Sequence, residues 1–161
     1  ASGLAALQVA GKGHRDIKPS NVLVSTNGRV VLLDFGLVTD VRRGEQKSDV
    51  GIMGTYAYMA PEQAAGRAVG PASDWYAVGV MLFQALTGQL PFRGTTDALI
   101  FAKLNEVAPE AKMLFAGAPQ DLNDLARDLL ARDPEARPSD REILERLHVE
   151  ASGDLAGLAA G

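Results

Sequence analysis

Residues 14–21 read His14-Arg15-Asp16-Ile17-Lys18-Pro19-Ser20-Asn21, and the chain continues through Val-Leu-Val at 22–24, Asn27-Gly28 and Val-Val-Leu-Leu-Asp at 30–34. The second half of this stretch decides the local fold. Two β-branched runs, 22–25 and 30–34, flank Asn27-Gly28, a dipeptide that accepts the positive φ angles of a tight hairpin turn. The reading is therefore a small β-hairpin placed directly after a polar loop.

Working outward, Leu4, Leu7 and Gln8 followed by Gly11 read as the last turns of a helix. From 34 to about 70 there is no sustained hydrophobic period, and six glycines fall in that span. It is expected to be a long loop, and loops of that length are usually functional. Four helices should follow. Ser73 is a candidate N-cap for a helix ending before Gly88, apolar on all sides and so expected at the buried centre, with Trp75 and Tyr76 as core aromatics. Thr95 or Thr96 should cap a second, running to about 107. A third spans 120–132 with Leu122, Leu125, Leu129 and Leu130 on one face. Ser139 and Glu142 form a capping-box pattern for a fourth, with Ile143, Leu144 and Leu147 inside. The expected fold class is mainly α with a small β-hairpin.

Composition narrows the function. The chain has 161 residues, a net charge of −4 and no cysteine. Disulfides and thiolate metal sites are excluded, and the basic surplus of a nucleic-acid binder is missing. The longest apolar stretch, 75–86, is broken only by Gln84. It is too short for a bilayer span of roughly 20 residues, so no membrane segment is expected. The opening residues lack the basic region of a signal peptide, and 151–161 read as a flexible tail or linker.

Two further motifs complete the pattern. Asp34-Phe35-Gly36 begins thirteen positions after Asn21, and Ala60-Pro61-Glu62 begins twenty-six after Asp34. Any one of these triplets is a weak signal, but the three in this order and spacing are a strong one. The set resembles the catalytic loop, metal-binding loop and activation-segment end of eukaryotic-type (Hanks-type) serine/threonine protein kinases, with Ile17 where the usual pattern has Leu. The richness in Ala, Gly and Arg is similar to that of bacterial members.

The resemblance implies roles. Asp16 would orient a substrate hydroxyl and accept its proton, and Lys18 would place a cation near the transferred phosphate. Asn21 and Asp34 would supply hard oxygen ligands to Mg²⁺, or Mn²⁺ in its place, with the hairpin as their rigid support. Nucleotide contacts would come from Lys18, Asn21, Asp34 and Leu23, the last against the adenine of ATP. Lys18 and Gly54-Thr55 imply serine/threonine specificity, with Thr55 hydrogen-bonding toward Asp16 and Lys18. His14 is expected to pack against Phe35, Asp74 to accept hydrogen bonds from the catalytic-loop backbone, and Arg137 to pair with Glu62. Arg15, just before Asp16, is expected to receive a phosphate placed on Ser48 or, as the second choice, Thr39.

The resemblance covers about 4–147 and matches the C-terminal lobe of a kinase that is α+β overall. No Gly-rich loop, strand lysine or helix glutamate of an N-lobe is present. The domain reading is therefore a partial catalytic domain over 1–150 and a tail over 151–161. Its partners would be protein substrates and an N-lobe of the parent chain. Its location would be cytoplasmic, with the parent free to carry a membrane anchor. Such a fragment is expected to be inactive alone, marginally stable, and to expose an apolar patch on its central helix. Two other functions compete. Intact Asp16, Lys18, Asn21 and Asp34 argue against a pseudokinase scaffold, and the upstream lysine and glutamate would decide it. A small-molecule phosphotransferase of the aminoglycoside-kinase kind shares the Asp and Asn loop but usually lacks an Ala-Pro-Glu segment, which this chain has.

Overall fold

Residues 2–9, 13–27, 29–33 and 49–147 are described in a computed structural model. Helix α1 (Ser2–Val9) leads into the 14–21 loop, which ends in a 3-10 turn, Pro19–Asn21. Strands β1 (Val22–Val24) and β2 (Val30–Leu32) pair antiparallel in the register Val22 with Leu32, Leu23 with Val31 and Val24 with Val30. The backbone N–H of Ser25 donates to the carbonyl of Arg29 at 2.9 Å and closes the hairpin. The helices are α2 (Asp49–Tyr58), α3 (Pro61–Ala64), α4 (Pro71–Thr87), α5 (Thr96–Asn105), α6 (Ala111–Leu114), α7 (Gln120–Leu129) and α8 (Asp140–Arg146). The described residues are thus mostly helical with one two-stranded sheet.

Helix α4 is the axis. Its residues Trp75 and Ala77 pack with Leu4, Ala5, Ile17, Leu125, Leu129 and Ile143. On another face Tyr76, Val80 and Phe83 pack with Ala60, Ala111, Ala118 and Leu130. One helix serves two clusters because it is apolar all round. Gly88, in the left-handed conformation at φ 71°, ends it, with its N–H donating to the Gln84 carbonyl. The Trp75 indole N–H is shared between Gln8 Oε1 at 3.0 Å and Asp140 Oδ1 at 2.6 Å, which ties α1 and α8 to the axis.

Several boundaries differ from expectation. Helix α4 starts at Pro71, not Ser73: proline fits the first helical position, where no N–H is needed. The Ser73 hydroxyl instead donates to Glu62 Oε1 at 2.7 Å. The long loop expected over 34–70 contains α2 and α3. Neither shows a readable apolar stripe, and α2 is held by packing on α4 and α5. Helix α7 stops at Leu129, short of 132, where the Leu130 N–H turns to both Ala126 and Asp128 carbonyls. Helix α5 stops at Asn105 because Glu106 is extended. Thr95 caps α5, and Ser139 with Glu142 forms the capping box of α8, as expected. The central helix carries no bare apolar patch, since Leu4 and Ala5 join its cluster. Among the described residues the exposed large apolar side chains lie on the hairpin (Leu23, Val24, Val30, Val31) and around α5 and α6 (Phe101, Val107, Met113, Leu114, Phe115). Among the described residues no helix is long and apolar enough to cross a membrane.

Helices α4 and α7 approach closely at Gly79, where an added Cβ would meet Leu129 Cβ at 2.7 Å. Gly79→Ala should therefore destabilise the protein. Overpacking costs about 1–3 kcal/mol, against about 1 kcal/mol gained in helix propensity. A lower urea midpoint is the expected result, and an unchanged or higher midpoint contradicts this packing.

Candidate functional site

The 14–21 loop is fixed from below by one carboxylate. Asp74, in the first turn of α4 and 2% exposed, accepts the backbone N–H of His14 at 2.8 Å on Oδ2 and that of Arg15 at 2.7 Å on Oδ1. Burial raises its pKa, and the two N–H donors pull the other way. Arg15 sits at φ 64°, the left-handed region. A non-glycine residue there costs about 1–3 kcal/mol and persists only where its surroundings hold it. The two bonds to Asp74 and the buried Ile17 hold it.

The loop is also tied to the hairpin. The buried His14 ring donates from Nε2 to the carbonyl of Leu33 at 2.8 Å, and the Leu33 N–H donates to the Asn21 carbonyl at 2.8 Å. Leu33 thus clamps both ends of the loop. Asp34, Phe35, Thr39 and Ser48 lie outside the described residues.

Four side chains of the expected set converge. Lys18 Nζ is 2.8 Å from Asp16 Oδ2 and donates to Thr55 Oγ1 at 3.4 Å. The Asn21 amide nitrogen donates to the Asp16 carbonyl at 2.8 Å and to Asp16 Oδ2 at 3.0 Å. Asn21 is buried, whereas the Asp16 side chain is 42% exposed, so its carboxylate is oriented from below and open above. A small cleft between the loop and α2 is lined by Arg15, Asp16, Ile17, Thr55, Tyr58 and Met59. Leu23 stands apart from this cluster, 55% exposed on β1. Arg15 is exposed as well.

Glu62 and Arg137 form a separate buried centre. Arg137 donates from Nη1 and Nη2 to the two Glu62 oxygens at 2.7 and 2.8 Å. Its remaining N–H groups reach the carbonyls of Ala131, Ala72 and Arg132, so all five donors are used. Burial raises the Glu62 pKa, but hydrogen bonds from Arg137 and Ser73 outweigh it and leave the carboxyl below its ordinary 4.5.

Sequence reasoning missed Gln63 and Lys103. Gln63 accepts the Ala60 N–H at 2.9 Å and donates to the Arg15 carbonyl at 3.2 Å, joining α3 to the loop. A glutamine three residues after a helix start was the available signal. Lys103 is 2% exposed and falls on the stripe of Leu99 and Ala102. A charge at an apolar register position was the signal there.

Two measurements test the Glu62–Arg137 centre. Arg137→Met should cost about 3–5 kcal/mol, because it strands a buried carboxylate. A folded-state pKa below 4.5 means that Glu62 contributes stability above pH 4.5 and loses it as pH falls through its lower folded value. The melting-temperature gap between wild type and Glu62→Gln should therefore be full at pH 7 and narrow below pH 4.5. A gap that stays constant to pH 3 contradicts this.

Comparison with known proteins agrees with this geometry. Residues 1–149 match the protein kinase domain family. The chain is 40% identical over 139 residues to the serine/threonine-protein kinase PknL of Mycobacterium tuberculosis, covering 86% of this chain and 35% of that protein. It is 37% identical over 152 residues to the probable serine/threonine-protein kinase PkwA of Thermomonospora curvata (94% of this chain, 20% of that protein). Against the serine/threonine-protein kinase PrkC of Bacillus subtilis it is 35% identical over 133 residues, 82% of this chain and 20% of that one. The chain thus spans about a third or less of these relatives' lengths. With a match over nearly its whole length and a catalytic-type loop seated on a buried central aspartate, it belongs to the protein kinase domain family, alongside bacterial serine/threonine kinases.

Proposed function

We propose that the protein carrying this chain transfers the γ-phosphoryl group of ATP to serine or threonine hydroxyls of protein substrates. The observation that carries this is the convergence of Asp16, Lys18, Asn21 and Thr55 above one fixed loop. Phosphoryl transfer needs in-line positioning and charge neutralisation more than covalent chemistry, and this cluster supplies both.

Each residue has a task. The exposed Asp16 carboxylate, held by Asn21 and Lys18, orients the incoming hydroxyl and takes its proton. Lys18 lies between Asp16 and Thr55, so its ammonium stands where charge builds on the transferred phosphate. Thr55 marks the edge along which the substrate chain lies. The Asn21 amide nitrogen is spent on Asp16, which leaves its carbonyl oxygen turned away, with the Ser20 hydroxyl 3.5 Å from it. A hard oxygen in that position fits Mg²⁺, or Mn²⁺, and Asp34 would be the second ligand. The bound ion would neutralise phosphate charge and align the nucleotide. The exposed Leu23 on β1 offers an apolar face for the adenine.

The same reading assigns 1–150 to the C-terminal lobe and 151–161 to a tail. The share of each relative that this chain covers supports an N-lobe elsewhere in the parent, supplying the rest of the ATP cleft. The segment alone would be inactive. Arg15, exposed beside the catalytic aspartate, would pair with a phosphate on Ser48 or Thr39 and order the activation segment.

The test uses the full-length protein with ATP and Mg²⁺, read as autophosphorylation with phosphopeptide mapping. Phosphate is expected on Ser48 or Thr39, and Asp16→Asn should slow its appearance by about 10²–10⁴-fold. A wild-type rate in Asp16→Asn, or phosphate on neither residue, contradicts the corresponding part of the proposal.

A further inference from the structure

Lys103 projects from α5 into the interior at 2% exposure. Its Nζ donates to the carbonyl of Ala57 at 2.9 Å and to that of Met59 at 2.7 Å. It also lies 4.8 Å from the centre of the Tyr76 ring, while the Arg137 guanidinium lies 4.9 Å from the same ring. Burying an ammonium is costly, and a lysine is rarely this buried without a specific partner.

The two carbonyls explain its position. Ala57 is in the last turn of α2 and Met59 follows its end, where helix carbonyls lack partners within the helix. A cation there meets the negative end of the helix dipole as well as the free carbonyls. The segment it holds is the one that carries Thr55, two residues before Ala57, and that continues into Ala60-Pro61-Glu62. Other contacts fix its sides: Tyr58 donates to Gln84 Oε1 at 2.6 Å and the Ala60 N–H to Gln63 Oε1. From α5, Lys103 adds its two hydrogen bonds to the packing of that helix on α2 and α3.

We infer that Lys103 is a positioning residue for the substrate-binding edge at 55–59, setting its backbone shape through the Ala57 and Met59 carbonyls so that a protein substrate is seated beside Asp16. The inference rests on the kinase reading for the meaning of that edge. Burial and the Arg137 charge lower the amine to about 7, with Glu62 opposing. The sequence keeps a lysine despite that cost, where a leucine would continue the apolar stripe of Leu99 and Ala102.

The experiment compares wild type, Lys103→Met, Lys103→Gln and Lys103→Arg in the full-length protein. The probes are ATP and a peptide copied from residues 44–52, which contains Ser48. Removing the charge should raise KM for the peptide about ten-fold and leave kcat and the KM for ATP within about two-fold, as expected for a lost uniform binding contact. Lys103→Arg, which keeps cation and donors, should recover most of the peptide KM. Amides of residues 58–60 and 62 should exchange about ten-fold faster in the Met and Gln variants. An unchanged peptide KM in a folded variant overturns the inference, as does an equal loss toward both substrates. So does failure of both uncharged variants to fold, which would make Lys103 a stability residue. If the wild type transfers no phosphate, the kinase reading falls, and amide exchange still decides whether Lys103 shapes 58–62.

Discussion

The structure depends on a single carboxylate facing two backbone N–H groups. Asp74 lies inside the first turn of the central helix and receives the amides of His14 and Arg15. The geometry of the candidate site follows from that contact. It holds Arg15 in a left-handed conformation that a side chain bearing Cβ ordinarily avoids. The turn this creates sends Ile17 into the core and leaves the Asp16 carboxylate toward solvent, within reach of Lys18 and Asn21. A helix can serve as the reference for this loop because it is itself immobilised, with Trp75 and Ala77 packed to one side and Tyr76, Val80 and Phe83 to another. A functional group on a loop is as well placed as the rigid element beneath it.

A buried ion pair does comparable work for the other wall of the site. Arg137 uses all five donors, two of them on Glu62, and Ser73 adds a third bond to the same carboxylate. This locks α3 and the start of α4 to the segment after α7. Lys103 approaches the same region from α5, and Tyr76 lies within about 5 Å of both cations. A tyrosine hydroxyl this deeply buried has its pKa raised, so the ring stays neutral beside the two cations. The result is a buried polar group in which Arg137 pairs with Glu62 and Lys103 with two backbone carbonyls, beside the apolar cluster that contains Tyr76.

Much of this was legible in the sequence, and the limits have physical causes. The hairpin, the central helix and the capped helices at Thr95 and Ser139 were readable because turn chemistry, apolar periodicity and caps are local signals. Helices α2, α3 and α6 were not. Two have only four residues, too few to show a period, and α2 holds its shape through neighbours rather than through a stripe of its own. Ser73 was misread as a cap because a serine before an apolar run looks the same whether its hydroxyl serves its own helix or, as here, Glu62. The grouping of Asp16, Lys18 and Asn21 was implied by the resemblance of 14–21 to a kinase catalytic loop. Their distances to Thr55 depend on a fold that brings residues 37 positions apart together. Lys103 was legible only as a charge at an apolar register position; its carbonyl partners leave no mark in a sequence.

Asp74 fixes the catalytic-type loop through two backbone hydrogen bonds. Amide hydrogen exchange on wild type and Asp74→Asn, in the full-length protein, measures this directly. An asparagine at that position can accept one of the two N–H groups but turns its own N–H₂ toward the other. The His14 and Arg15 amides, protected in the wild type, should exchange at least about ten-fold faster in the variant, while α4 amides at 80–83 keep their protection. Unchanged protection at His14 and Arg15 would contradict this, because the loop would then be held by something other than Asp74.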